Sequence, residues 1–99
     1  MVWCVTILVD PPKWWLRGQF WGHLVSDVSY EELHAFAAGL GIPQRVFDRD
    51  HYDVPEDRLA QVIAAGAVLV TSRELVTRMT AAGLRRRKPR SLPGPPTPQ

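Results

Sequence analysis

The sequence predicts a small single-domain α/β protein. The expected sheet has about four strands, mainly parallel, with three helices in the order β-β-α-β-α-β-α. Three observations carry this expectation. Short β-branched and aromatic runs alternate with amphipathic segments, two of those segments open on S/T-x-x-E caps, and Gly or Pro punctuates the boundaries. Ninety-nine residues leave room for one modest core.

Residues 2–9, "VWCVTILV", have the composition of a strand buried on both faces. Asp10-Pro11-Pro12 should end it, because proline gives no donor to a ladder. A loop, "PPKWWLRG", leads to a second strand, "QFWGHLVS". Ser29 and Glu32 have capping-box spacing, and Leu33, Phe36, Ala37 and Leu40 form the apolar stripe of a first helix that Gly41 and Pro43 stop. "RVFD", residues 45–48, reads as a third strand.

Pro55, with Asp53 and Glu56 at the capping spacing, opens a second helix over roughly residues 55–65, buried through Leu59, Val62 and Ile63. Gly66 breaks it, and "AVLV" is a fourth strand. Thr71 and Glu74 cap a third helix with Leu75, Val76, Met79 and Ala82 as its stripe, closed by Gly83. The first two strands could form a hairpin or run parallel.

The net charge of +2 conceals a segregation of signs. Residues 1–84 carry seven basic against ten acidic side chains, whereas "RRRKPR" at 85–90 carries five positive charges. Residues 1–84 are therefore expected to be the domain. Residues 85–99, rich in proline, are expected to be a disordered basic tail that makes weak, salt-sensitive, nonspecific contact with polyanions. One cysteine, Cys4, excludes an intrachain disulfide and reads as a small buried hydrophobe. The nine-residue apolar start lacks a basic flank and is too short to span a bilayer, so a cytoplasmic protein without membrane contact is expected.

In open parallel sheets ligands bind beyond the carboxyl ends of the strands. That rule gathers Asp27 after the second strand, Asp48 to Asp53 after the third, and Thr71, Ser72 and Arg73 after the fourth. Asp10 joins them only if the first strand is parallel to the rest. His23 with Asp27, and His51 with Asp53, are His–carboxylate sets able to bind a divalent metal or to orient an imidazole as general base. The plainer alternative is that Asp53 caps a helix, Asp27 is a turn residue, and His51 packs over the sheet edge. Arg58 could hold an anion or be a solvated surface cation. His34, beside the stripe of the first helix, reads as a partly buried helix residue. Trp14 and Trp15, flanked by Lys13 and Arg17, could stack on bases, although covering a small core or acting as a lid is the favoured reading.

Taken together, Leu8-Val9-Asp10, Arg17-Gly18, His23-Leu24-Val25-Ser26-Asp27, the helix from Glu31 to Ala37, Gly41, Phe47, His51-Tyr52-Asp53, Arg58, Gly66-Ala67 and Ser72-Arg73 follow a familiar order. Over residues 5–75 the chain resembles the bacterial and phage domain of unknown function numbered 4031. The resemblance implies an enzyme-like set at His23, Asp27, His51 and Asp53, with Arg58 as the basic position. Pro11-Pro12 and Trp14-Trp15 depart from the expected pattern.

Two functions follow. The first is a small hydrolase acting on a phosphate-containing, small-molecule or nucleotide-like substrate, with or without a divalent metal. Asp10, His23, Asp27, His51 and Asp53 would be its catalytic or ligand groups, and Arg17, Arg58, Ser72 and Arg73 would hold the substrate. The alternative is a non-catalytic module that binds nucleic acid or protein through the Trp loop and basic tail.

Overall fold

The computed structural model describes residues 6–86. The expected strand start with Cys4, and the tail from residue 87, lie outside the described residues. In chain order the elements are β1 (Ile7–Val9), β2 (Trp14–Leu16), β3 (Gln19–Ser26), α1 (Tyr30–Gly39), a 3-10 turn (Gln44–Val46), β4 (Tyr52–Pro55), a second 3-10 turn (Glu56–Arg58), α2 (Leu59–Ala64), β5 (Val68–Leu69) and α3 (Ser72–Ala81).

The α/β class and the three helices hold, but the sheet is mixed and has five strands rather than about four mainly parallel ones. β1, β2 and β4 all run antiparallel to β3, and only β1 and β5 are parallel. Trp21 pairs with both Trp14 and Pro55, and Leu24 with both Val9 and Tyr52. A strand residue has two edges, so β1 and β2 share one side of β3 while β4 takes the other. The first two expected strands are thus a hairpin, turned by Arg17 and Gly18 at φ 53° and 79°, the left-handed pair that suits a two-residue hairpin loop.

The Pro-Pro segment does not end the strand; it interrupts it. Val9 faces Leu24 and Trp14 faces Trp21, so the four residues 10–13 oppose only Gly22 and His23. This is a wide bulge, a device that re-aims side chains. Pro11 and Pro12 suit it because they have no N–H to leave unpaired, while Asp10 N–H and Lys13 N–H still donate to the His23 and Trp21 carbonyls. "WWL", expected in a loop, becomes β2 beyond the bulge.

"RVFD" is not a strand. Its first residues lie in a 3-10 turn, and Asp48 meets His51 in a tight turn through Arg49, at φ 59°. The strand comes later, as "YDVP", where Tyr52 and Val54 alternate inward. Asp53 therefore caps no helix, and the turn at Glu56–Arg58 that leads into α2 has no side-chain cap. The caps at Ser29 and Thr71 are present, each accepting from the backbone N–H three residues on. The Glu32 side chain does not reciprocate in a capping box; it takes the Thr6 and Ser26 hydroxyls instead.

α1 and α2 cover one sheet face, where Val9, Leu24, Leu33, Ala37, Tyr52, Val54 and Val62 are buried. Each such aliphatic side chain contributes roughly 1.5–3 kcal/mol by leaving water. α3 packs on the opposite face through Leu75 and Met79 against Leu8 and Val25. Beyond that small cluster the same face continues over His23, Trp21 and Trp14, and Trp14 and Leu16 remain exposed. Ile63 and Val76, expected in helix stripes, are also exposed.

Gly22 is where the bulge closes tightest. A Cβ there would sit 2.5 Å from the Asp10 carbonyl oxygen and 3.2 Å from its Oδ1. Backbone cannot yield cheaply to that overlap, so Gly22→Ala should lower stability by about 1–3 kcal/mol in urea titration. Ile63→Ala, at an exposed position, should fall within about 0.5 kcal/mol of wild type.

Candidate functional site

At the bulge the Asp10 carboxylate turns onto β3. It is 2% exposed and accepts three hydrogen bonds: from the His23 backbone N–H at 2.6 Å, from His23 Nδ1 at 3.1 Å and from Ser72 Oγ at 2.8 Å. Burial works against its charge, but these donors outweigh it and hold the Asp10 pKa below the ordinary 3.8. The parallel pair β1–β5 places Ser72 here, since Asp10 follows one strand and Ser72 opens the helix after the other.

A second buried aspartate repeats the arrangement. Asp50, 3% exposed in the turn before β4, accepts from His51 Nδ1 at 2.8 Å and from the Arg86 backbone N–H at 2.8 Å. Each imidazole is thus held through Nδ1 by a buried carboxylate, which leaves the Nε2 atoms for other partners. The two rings meet edge to face, with centroids 4.9 Å apart.

Asp53 completes the group, because it pairs directly across from His23 in the β3–β4 ladder. Its Oδ1 lies 3.1 Å from His51 Nε2, an ion-pair contact, yet this buried oxygen has no hydrogen-bond partner. One ligand-type atom from each of His23, His51 and Asp53 falls within 4.8 Å of the others, and these three are the potential metal-holding cluster among the described residues. Burial depresses the His51 pKa, but Asp53 and Asp50 together raise it above 6.5.

The remaining expected residues are placed as follows. Asp27 is at the other end of β3, since β1 runs antiparallel, and its carboxylate pairs with Arg78 of α3 at 2.7 Å. Arg58 donates to the Leu40 carbonyl and to Gln61, a structural tie. Arg73 is exposed on α3 and lines none of the clefts described below. Arg17 borders a groove with Leu16, Trp21, Val46 and Asp53, on the flank of the cluster. His34 is a packing residue: its Nδ1 meets the Tyr52 hydroxyl at 2.7 Å and its ring packs on Phe47.

Asp50 falls inside the gathered span 48–53 but has no role of its own in the sequence reading. The signal for it in the chain is an acid directly beside an imidazole, since Asp50 precedes His51; the Asp10–His23 pair that it repeats forms only across the bulge. Trp14 and Trp15 correct the core-covering half of the expectation, because they are 45% and 58% exposed and pack into neither buried cluster. Trp14 instead lies parallel to the His23 ring, 9° off, with centroids 6.2 Å apart.

A cleft of about 260 Å³ opens between this cluster and α3, floored by Val25, Leu75 and Met79, with Arg85 also lining it. A second, of about 280 Å³, lies on the other side of Asp10, His23 and Ser72, against Lys13, Trp14 and Trp21.

Residues 7–82 match the family described as "Protein of unknown function (DUF4031)". The chain belongs to that family. No curated protein and no solved structure matches it. No helix among the described residues is long and apolar enough to cross a membrane.

In the metal-free protein His51 holds its proton more tightly folded than unfolded. Its pairing therefore stabilises the fold fully below about pH 6.5 and fades as the pH rises through the folded pKa. The stability gap between wild type and His51→Gln in chelator should be widest below about pH 6.5 and should narrow as the pH rises through the folded pKa, measured by urea denaturation.

Proposed function

We propose that the domain is a divalent-metal-dependent hydrolase of phosphate esters, with His23, His51 and Asp53 as the protein ligands. The observation that carries the reading is the pair of buried aspartates, each fixing an imidazole through Nδ1 beside a buried Asp53 oxygen that no donor satisfies apart from its 3.1 Å ion-pair contact with His51 Nε2. A carboxylate behind each ligating histidine fixes its tautomer and raises its basicity, and this outer layer commonly accompanies metal sites. The 3.1 Å between His51 Nε2 and Asp53 Oδ1 suits two neighbouring ligands, since bonds of about 2.0–2.1 Å place tetrahedral ligand atoms roughly 3.3 Å apart.

Bound there, a metal supplies Lewis-acid polarisation of a phosphoryl oxygen and an activated water. The chain's own groups do the rest. Asp10 and Asp50 orient the two imidazoles, and Ser72 keeps the Asp10 carboxylate aligned. Arg85, on the cleft lined by both histidines, is placed to attract the phosphate. This set replaces Arg58 and Asp27, which are tied up elsewhere.

Calorimetry of the full chain with Mn²⁺, Zn²⁺ and Ni²⁺ tests the proposal. Binding at one site should be lost in His23→Ala and His51→Ala. It should weaken by about 10–100-fold in Asp50→Asn, which leaves the three ligands in place. Absence of binding by wild type, or binding indifferent to either histidine, removes the metal reading. A metal-loaded protein that binds normally but cleaves no phosphomonoester or phosphodiester would remove the hydrolase reading alone.

A further inference from the structure

We propose that the phosphate-bearing ligand of this site is a nucleotide, whose base stacks on Trp14 while its phosphate lies at the His23 side of the cluster. The inference deepens the phosphate reading above and rests on it for the phosphate end only.

Its basis is the second cleft. Asp10, His23 and Ser72 border both cavities, so whatever fills the Trp14 side is in reach of the proposed ligand His23. The Asp10 carboxylate is buried and already accepts three hydrogen bonds from His23 and Ser72, so it offers little to a new donor there. What remains available is aromatic and cationic: the faces of Trp14 and Trp21, and the Lys13 ammonium. Trp21 is held by its own Nε1–H, which donates to the Leu16 carbonyl at 2.8 Å. The wall is rigid in advance, which lowers the ordering cost of binding.

Apart from its stacking beside the His23 ring, Trp14 packs into neither buried cluster. It is 45% exposed on a sheet face that α3 leaves uncovered, at a three-residue edge strand beyond the bulge. Tryptophan with an adjacent lysine is a pairing that suits a flat π-face together with a negative charge. Phosphate alone would need the cation but not the indole. A purely apolar ligand would need the indole but not Lys13, nor Arg85 on the adjoining cleft. A nucleotide uses all three. Trp15 and Phe20 pack edge to face on the opposite side of the hairpin, with ring centroids 4.9 Å apart, and supply an internal control.

Binding of adenosine monophosphate, ribose 5-phosphate and inorganic phosphate to the full chain should be compared by calorimetry in chelator. The metal then plays no part, and failure here is distinct from failure of the metal site. Adenosine monophosphate should bind at least about tenfold more tightly than ribose 5-phosphate, and Trp14→Ala should erase that advantage. Trp14→Phe should retain most of it, and Trp15→Ala all of it. An unchanged urea-denaturation midpoint for Trp14→Ala shows that the variant is folded.

Equal affinity for the three ligands, no binding of any, or a base preference indifferent to Trp14→Ala would each overturn the proposal. So would a wild-type dimer that Trp14→Ala dissociates without any change in nucleotide affinity, because the indole would then serve a second copy of the chain. Short oligothymidylate against thymidine monophosphate separates the two sources of the same chemistry. A large gain for the polymer assigns single-stranded nucleic acid, and equal affinity assigns the free nucleotide.

Discussion

A buried carboxylate has to be surrounded by donors, and the way Asp10 finds them organises the molecule. It closes the bulge between β1 and β2, caps no helix, and draws one hydrogen bond from the backbone of β3, one from a ring on β3 and one from the first residue of α3. Three segments far apart in sequence are thus held at one atom group. The surrounding residues are those such a junction requires. Two prolines leave no stranded N–H in the bulge, and Gly22 has no Cβ to strike the Asp10 carbonyl. The Asp10 charge is kept by geometry rather than by water.

The second half of the site reaches the same end differently. Asp50 is presented by a turn, not a bulge, and the left-handed Arg49 beside it lets the chain reverse within two residues. Asp53 is then carried by the strand that follows, in register with His23. Rigid sheet positions two of the three converging groups, and a buried aspartate steadies each imidazole. Placement of this kind gives a site its precision before any ligand arrives.

What the sequence made legible was local. The caps at Ser29 and Thr71 and the stripe of α1 need only neighbouring residues, and they form where the sequence places them, although Glu32 turns to Thr6 and Ser26 rather than closing a capping box. The span 19–26 was likewise legible from its own composition. Strand direction was not, because it depends on partners far along the chain. An alternating order suggested parallel crossovers, whereas β3 returns antiparallel to both β1 and β4. That single difference exchanges two aspartates: Asp27 goes to the far end and Asp10 comes in. "RVFD" and "YDVP" are equally plausible strands over four residues, and only the ladder with β3 chooses between them. His23, His51 and Asp53 were legible as polar residues awaiting a role. Their convergence, and the help of Asp50, belong to the tertiary structure. The tryptophans misled because indole burial is usual in small cores, and here the hairpin runs past the helix that would have covered it.

Asp50 is tied to the end of the described chain through a main-chain group, the Arg86 N–H, while Leu84 is held through its carbonyl by the Tyr30 hydroxyl. A backbone donor is indifferent to which side chain its residue carries. Substitutions at 86 other than proline, which has no N–H, would forfeit the guanidinium stacking on Tyr30 but keep the bond to the aspartate. Removing or adding one residue between Gly83 and Arg86 would instead displace that donor by one step of the chain, about 3.4 Å. The segment is therefore constrained in length rather than in spelling. Among relatives, drift in letters and intolerance of gaps would be the trace it leaves.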